Sequence, residues 1–337
     1  MIVSVLHDCL DYHGNPDERD TFHQAMYVSE CLAKIGIIPK IDLYNGNSGD
    51  ILSAIHSENI ELVFNLVENF STGDFRPEAV PELLEKHGIP FTGSGSRAVI
   101  ETTDKVLAKE KMKENGIPTA DWINIDGTCG GSAGTGKYII KPVSEDASVG
   151  IDSASVVEVA DIGEFLKMLE KRSMKEGKKY FGEKYIGGRE FNVSLISSPG
   201  GVEVMPVAEL LFKDWGIDEP RILGYDAKWE SESESYIKVT RSFDFADVEK
   251  PLIDNISGIA EECWKIFGLG GYGRVDFRVD ESGRPFVLEV NTNPCLSHDA
   301  GFFAASERNM MSFEDVLQRI IEDAFSCHEK RLAESAG

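Results

Sequence analysis

The chain has 337 residues, 42% hydrophobic and 27% charged, with a formal net charge of −24. That length exceeds one compact core and predicts two or three domains, while the charge argues against nucleic acid or an anionic membrane as partner. No apolar run reaches the ~18 residues of a membrane span. Cys9, Cys31, Cys129, Cys263, Cys295 and Cys327 form no CxxC pair and have no histidine at ligand spacing, which predicts reduced thiols, no structural zinc and a cytoplasmic protein.

MIVSVL runs straight into His7-Asp8 and reads as a first buried strand, not a signal peptide. Up to about residue 95, helical patterns over 20–36, 49–58 and 77–87 alternate with extended PKIDLY, ELVFNLVE and IPFTGS. This alternation predicts a doubly wound parallel sheet, whose ligands gather at the carboxyl ends of strands, where Glu68 and Asn69 stand. A helix over 103–115, capped by Thr103, leads into DGTCGGSAGTG. Its last glycines fit the start of a P-loop, but Tyr138 stands where a metal-binding Ser or Thr belongs. The chain then continues as a strand, without the helix N-terminus a P-loop uses, so the stretch reads as a flexible surface turn.

YIIKPV, KYFGEKYI, REFNVSLIS and MPVAELLF are extended, and 161–169 is helical with Ile162, Phe165, Leu166 and Leu169 at core spacing. From 213 to 236 no period survives, which predicts an ordered functional loop or disorder. Residues 246–267 are helical, and a last helix starts at the cap Ser312.

Between these helices, GYGRVDFRVD and PFVLEVN form a β-hairpin around 281–284. Alternation puts Arg274, Asp276 and Arg278 opposite Val275, Phe277 and Val279. It also puts Phe286, Leu288 and Val290 opposite Val287, Glu289 and Asn291. A turn symmetric about Ser282-Gly283 sets Asp280 against Pro285, Asp276 against Glu289 and Arg274 against Asn291. Facing carboxylates weaken a sheet unless water screens them or a cation joins them. With Arg274 and Asn291 on the same face the cation is the better reading, because these oxygens and phosphate oxygens make the hard-ligand set of Mg²⁺. Lys141, Glu183 and Lys184 lie in largely apolar strands; each alone reads as an edge-strand charge.

Taken together these segments resemble the ATP-grasp enzymes, in the D-alanine–D-alanine ligase branch. TDK at 103–105, IKP at 140–142, ASVG, EKYIGGRE at 183–190, YDAKW at 225–229, RVDF and LEVNTNP follow that family's order and spacing. VFNLVE and GIPFTGSG resemble its first domain, so the likeness spans roughly residues 60 to 305. It implies a fold of class α/β and α+β in three parts: a preATP-grasp α/β domain over 1–98, a central lobe over 99–182 and a C-terminal lobe over 183–337 with the metal site. By the same resemblance Lys105 and Lys141 meet phosphates, Glu183, Lys184 and Ile186 line the adenine slot, and Glu190 binds the ribose. Backbone N–H groups of Ala147, Ser148 and Val149 form a nest for the γ-phosphate, and Lys228 lies in a loop that closes over the site. Asp276, Glu289 and Asn291 hold two Mg²⁺, or Mn²⁺ in their place. The reaction implied is ADP-forming joining of a small-molecule carboxylate and an amine, with amino acids as the implied substrates. It runs through an acyl phosphate, with Arg274 and the Cys295 N–H on the oxyanion. A homodimer through the first domain is implied as the assembly.

The amino-acid half departs from the family's pattern. The first loop, HDCLDYHGNPDERD, lacks the usual glycines, the phosphate-loop serine falls on Ala147, and the lid tyrosine falls on Trp229. The serine that holds the second substrate's carboxylate aligns with Ala300, leaving Ser297, His298 or Glu68 to replace it. A lost hydrogen bond to a charged group costs ~1.5–3 kcal/mol, so the expected substrates are not two D-alanines. A true D-alanine–D-alanine ligase is the competing enzyme. A nucleotide-binding protein without catalysis is the competing class, and binding alone would not require Arg274.

Overall fold

The computed structural model describes residues 1–9, 11, 16–68, 76–132, 134–145, 151–216, 219–224 and 238–335. β1 (Ile2–His7) is the middle of three parallel strands, between β2 (Ile38–Leu43) and β3 (Leu62–Asn65). Its Val and Leu side chains are buried, as a strand covered on both faces requires. The helices α1 (Pro16–Lys34), α2 (Ser48–Ser57) and α3 (Ala79–Lys86) flank this sheet. The expected strand IPFTGS contributes only a bridge, Phe91 to Val63.

The helix expected over 103–115 is α5 (Lys105–Glu114), and a separate helix, α4 (Ser96–Thr103), precedes it. Asp104, with extended backbone, accepts from the N–H groups of Val106 and Leu107, so it and not Thr103 is the N-cap. The central sheet is antiparallel, in the order β5-β4-β8-β6-β7. Its strands are β4 (Trp122–Asn124), β5 (Cys129–Gly130), β6 (Gly136–Pro142), β7 (Val156–Val159) and β8 (Tyr180–Lys184). The Gly-rich stretch therefore supplies β5, where Gly130 lies under Trp122; a Cβ there would meet the indole at 2.0 Å. α6 (Ile162–Glu176) packs Phe165, Leu166 and Leu169 on this sheet.

The C-terminal sheet runs β12-β11-β9-β13-β14, with β10 paired to β9. Its strands are β9 (Arg189–Ser198), β10 (Gly201–Val204), β11 (Ala208–Phe212), β12 (Val239–Ser242), β13 (Tyr272–Val279) and β14 (Pro285–Asn291). One face packs on α7 (Lys250–Phe267) through Ile256, Ala260, Cys263 and Phe267. On the other, Ile196 and Tyr272 share a core with β1, β3, α8 (Gly301–Arg308) and α9 (Phe313–Ser335), which joins this sheet to the first domain. The expected boundary between residues 182 and 183 falls inside β8, and that between 98 and 99 inside α4. No helix among the described residues is long and apolar enough to cross a membrane.

The hairpin keeps two of its three expected pairs. Arg274 faces Asn291 and Asp276 faces Glu289, but Val279, not Asp280, faces Pro285. The register shifts between Asp276 and Phe277 and leaves Leu288 as the extra residue of a bulge. The bulge reverses the alternation, so Val287 joins Val290 in the core with Val275, Phe277 and Val279, correcting the expected grouping of Phe286, Leu288 and Val290. Its physical origin lies across the strand. The Val287 N–H donates to Pro118 O at 2.8 Å, and Val287 O accepts from Thr119 Oγ1 at 2.9 Å. As a result Leu288 and Glu289 both face the cleft.

Candidate active site

Two adjoining cavities, of about 390 and about 100 Å³, share Glu190, Leu223, Arg274 and Asp276. The smaller lies between the central and C-terminal sheets; the larger reaches from β13 and β14 to the ends of the parallel strands at Asn65 and Glu68.

The central-sheet wall is built on Glu183 of β8 and Lys141 of β6. Lys141 Nζ donates to Glu183 Oε1 at 2.6 Å. Lys109 of α5 brings its Nζ within 2.6 Å of the other oxygen, Oε2, while its hydrogen bonds go to Thr119 Oγ1 (2.7 Å) and Ala120 O (3.2 Å). Oε2 thus receives a charge contact and no aligned hydrogen bond. Glu183 is 2% exposed and Lys109 0%. Burial alone would raise the Glu183 carboxyl; the two ammonium groups overcome it and hold the group below its usual range. Burial draws Lys109 down, against the pull of Glu183.

The hairpin wall has the opposite balance. Arg274 holds Asp276 with both arms, Nε to Oδ1 at 2.7 Å and Nη2 to Oδ2 at 2.8 Å, and its Nη2 lies 3.8 Å from Glu289 Oε1. Asn192 Nδ2 donates to Asp276 Oδ1 at 2.7 Å, and Asn291 Oδ1 accepts from the Asn293 N–H at 2.8 Å. Burial pushes Asp276 up, Arg274 pulls it back, and Glu289 pushes it up again. Burial works against the Arg274 charge but the carboxylates outweigh it, so the guanidinium stays charged. Burial is therefore the main cause of the raised Asp276, and Glu289, which shares the Arg274 cation, adds to it. Asp276, Glu289 and Asn291 offer only oxygen to a metal, the donor type that suits Mg²⁺. Among the described residues no three His, Cys, Asp or Glu side chains converge as a complete site, so the set depends on Asn291 and on ligand oxygens. Behind it, Arg278 Nη2 pairs with Glu190 Oε2 at 2.6 Å; burial raises Glu190 against the pull of Arg278.

Of the residues singled out in the sequence, Lys141, Glu183, Ile186, Glu190, Arg274, Asp276 and Glu289 line the smaller cavity. Glu68, Asn291, Cys295 and Ala300 line the larger. Burial, with Asp20 and Glu68 nearby, raises the Cys295 thiol well above its usual range, so the sulfur stays protonated. Lys105 is buried, bonds Glu145 O and lines neither cavity. Lys184 turns away from the cleft: its Nζ donates to Thr135 O at 2.7 Å and sits 4.7 Å from the Tyr138 ring. Ser297 and His298 line neither cavity either. His298 packs 5.0 Å from the Phe303 ring, and Ser297 Oγ is buried with no hydrogen-bond partner among the described residues. Ala147, Ser148, Val149, Lys228 and Trp229 lie outside the described residues.

Several residues of the site gave no signal of their own in the sequence. Lys109 and Asn192 are two; Gln24 is a third. Its Nε2 reaches Asp20 Oδ2 (2.9 Å) and Glu68 Oε1 (3.1 Å), and its Oε1 accepts from the Leu296 N–H (3.0 Å). Glu68 and Leu296 are 44 and 272 residues away, so no local pattern marks the amide. Arg278 was within reach, since alternation already placed it on the site face.

A family model described as "D-ala D-ala ligase C-terminus" matches residues 135–322. Over 264 residues the chain is 31% identical to an uncharacterised protein of Sinorhizobium fredii, covering 78% of this chain and 74% of that one. Over 332 residues it is 27% identical to the D-alanine–D-alanine ligase of Bordetella avium, covering 97% and 96%. Among solved structures, the D-alanine–D-alanine ligase of Bacillus anthracis complexed with ATP superposes with a TM-score of 0.70 at 19% identity, covering 98% and 99%. The ligase of Coxiella burnetii gives 0.70 at 16% identity, covering 100% and 97%. At these identities the likeness is one of fold, the three-part ATP-grasp fold. With the family model spanning more than half of the sequence, the chain belongs to the D-alanine–D-alanine ligase family of ATP-grasp enzymes, which are ATP-dependent carbon–nitrogen ligases.

Proposed function

We propose that the protein is an ADP-forming ligase, dependent on ATP and Mg²⁺, that joins a carboxylate to an amine, and that its amino-acid pocket is altered so that two D-alanines are not its substrates. The observation that carries the reading is the convergence of Lys141, Glu183, Glu190, Arg274, Asp276 and Glu289 from five strands on one cleft. In this reading Lys141 meets phosphate, with Lys105 held behind it, and Glu183 and Ile186 border the adenine. Glu190 accepts from the ribose. Asp276, Glu289 and Asn291 hold Mg²⁺, which when bound neutralises the phosphate charge. Ala147, Ser148, Val149 and Lys228 complete the phosphate site.

The substrate carboxylate attacks the γ-phosphorus and ADP leaves, giving an acyl phosphate. The amine then attacks the acyl carbon, and the tetrahedral oxyanion collapses to amide and phosphate as the amine loses a proton. Arg274, held in place by Asp276, and the Cys295 N–H stabilise that oxyanion. The domain division that suits this reading keeps β8 whole in the central lobe. The scattered spacing of the six cysteines supports a cytoplasmic location, and a homodimer is the assembly to test.

The altered pocket rests on what lines the larger cavity. Ala300 brings no hydroxyl, Ser297 and His298 turn elsewhere, and of the three candidate replacements only Glu68 faces the space. A carboxylate there, joined through Gln24 to Asp20, favours an ammonium and repels a substrate carboxylate. The test is ADP release across D- and L-amino acids, singly and in pairs. Turnover with other amino acids is expected. Efficient D-alanyl-D-alanine formation would return the protein to the activity its named relatives carry, and ATP binding with silence across the panel would favour another substrate class or lost catalysis.

A further inference from the structure

We propose that Lys109 is a positioning residue that ties the Lys141 wall of the central sheet to the Glu289 hairpin, so that the two face each other at a set separation. The inference rests on the nucleotide reading above. Lys109 lines neither cavity, yet it is completely buried. It lies on the inner face of α5 with Lys105, Ala108 and Met112. Packing alone would be met there by an apolar side chain, because replacing buried charge by well-packed hydrophobic groups is often neutral or stabilising.

The Lys109 ammonium works in two directions. Toward the central sheet it contacts Glu183 Oε2 at 2.6 Å, and the other oxygen of that carboxylate takes Lys141. Toward the hairpin it bonds Thr119 Oγ1 at 2.7 Å; that hydroxyl, accepting from Lys109, donates to Val287 O at 2.9 Å. The Val287 N–H completes the clasp on Pro118 O at 2.8 Å. Ala120 O and the Trp122 ring, 5.8 Å from Nζ, close the remaining sides.

Val287 directly precedes the bulge at Leu288 and then Glu289. A one-residue slip in a strand turns each side chain to the other face. Holding both backbone groups of Val287 therefore holds the direction of Glu289. The same cation, by sharing Glu183, keeps Lys141 from being fully taken up by that carboxylate. Without Lys109 the lysine and the hairpin acid would each lose a support at a point neither touches.

Thr119→Val keeps the side-chain shape and the Lys109–Glu183 pair but cuts the tie to Val287; Thr119→Ser keeps the hydroxyl. ATP affinity would be measured for parent and variants with excess Mg²⁺ and with EDTA, beside thermal unfolding without nucleotide. The expected result is that Thr119→Val loses about 10- to 100-fold in the Mg²⁺-dependent gain of ATP affinity, the usual effect of removing a partner behind a metal ligand. Its affinity in EDTA should stay near the parent's, and Thr119→Ser should behave as the parent. Lys109→Met should weaken ATP binding in both conditions. A folded Thr119→Val protein with the parent's ratio of affinities, or one shifted only in melting temperature, overturns the inference alone. A parent that binds no ATP overturns the function and this inference with it.

Discussion

The two walls of the smaller cavity handle buried charge in opposite ways. On the central sheet one carboxylate, Glu183, is shared by two lysines, and Lys109 spends its hydrogen bonds on Thr119 and Ala120. On the hairpin two carboxylates, Asp276 and Glu289, share one guanidinium. The two lysines hold the carboxyl of the first wall low, while burial first and Glu289 second push Asp276 of the second up. The first wall is completed by the protein itself and presents cationic charge to an anion. The second has acid in excess, which is the condition for taking up a divalent cation and releasing a proton as it binds.

The strongest test of this contrast removes the excess acid. Glu289→Gln should lower ADP release by about 10³-fold or more, the scale on which charge stabilisation acts in such transfers. Its melting temperature without nucleotide should hold or rise, because repulsion with Asp276 is relieved. Turnover at the parent rate would mean that the hairpin is only a solvated acidic face.

Glu183→Gln tests the complete wall through stability. The buried Lys109 and the half-buried Lys141 lose their acid, so the variant should unfold more easily by about 3–5 kcal/mol at neutral pH. The folded Glu183 titrates below its ordinary value of 4.5. Its stabilisation is therefore present above that value and is lost as pH falls through the folded one. Urea unfolding of parent and variant should converge in acid; a gap independent of pH would show packing, not charge, to be at stake.

Lys141→Met should leave Glu183 paired with Lys109 and the fold intact. It should raise the KM for ATP about 10- to 100-fold, as loss of one charged hydrogen bond of ~1.5–3 kcal/mol requires. An unchanged KM would remove Lys141 from the phosphate site.

The smallest effect carries the opposite sign. Burial raises Asp276 above its ordinary value of 3.8. Without metal, the native state then holds this proton more tightly than the unfolded chain, and stability falls as pH rises through the folded value. Asp276→Asn lacks that fall, so in EDTA the variant should gain on the parent as pH rises, measured by unfolding in urea. A variant that loses ground over the same range would show that Arg274 dominates the pair and that the hairpin has no acid to spare.

What the sequence by itself determined were the features with a local period or a local partner. The βα alternation of the first domain, the inward faces of α6, α7 and α9, and the shared face of Arg274, Asp276 and Arg278 follow from side-chain direction along a helix or strand. So does the pairing of Asp276 with Glu289, although its register was reached with a symmetric turn where the chain uses a turn one residue longer and a compensating bulge. Strands as short as β5, β10 and β12 carry too few residues to show a period, and their neighbours in the sheet define them. The tertiary structure alone decided which buried charges meet. Lys109 and Lys184 are both lysines in otherwise ordinary segments, yet one reaches Glu183 and the other turns to the Thr135 carbonyl. The bulge at Leu288 depends on Pro118 and Thr119, and the Gln24 amide on Glu68 and Leu296. Each is a choice of hydrogen-bond partner made after distant segments have packed, and a buried donor or acceptor must take whatever partner that packing brings within reach.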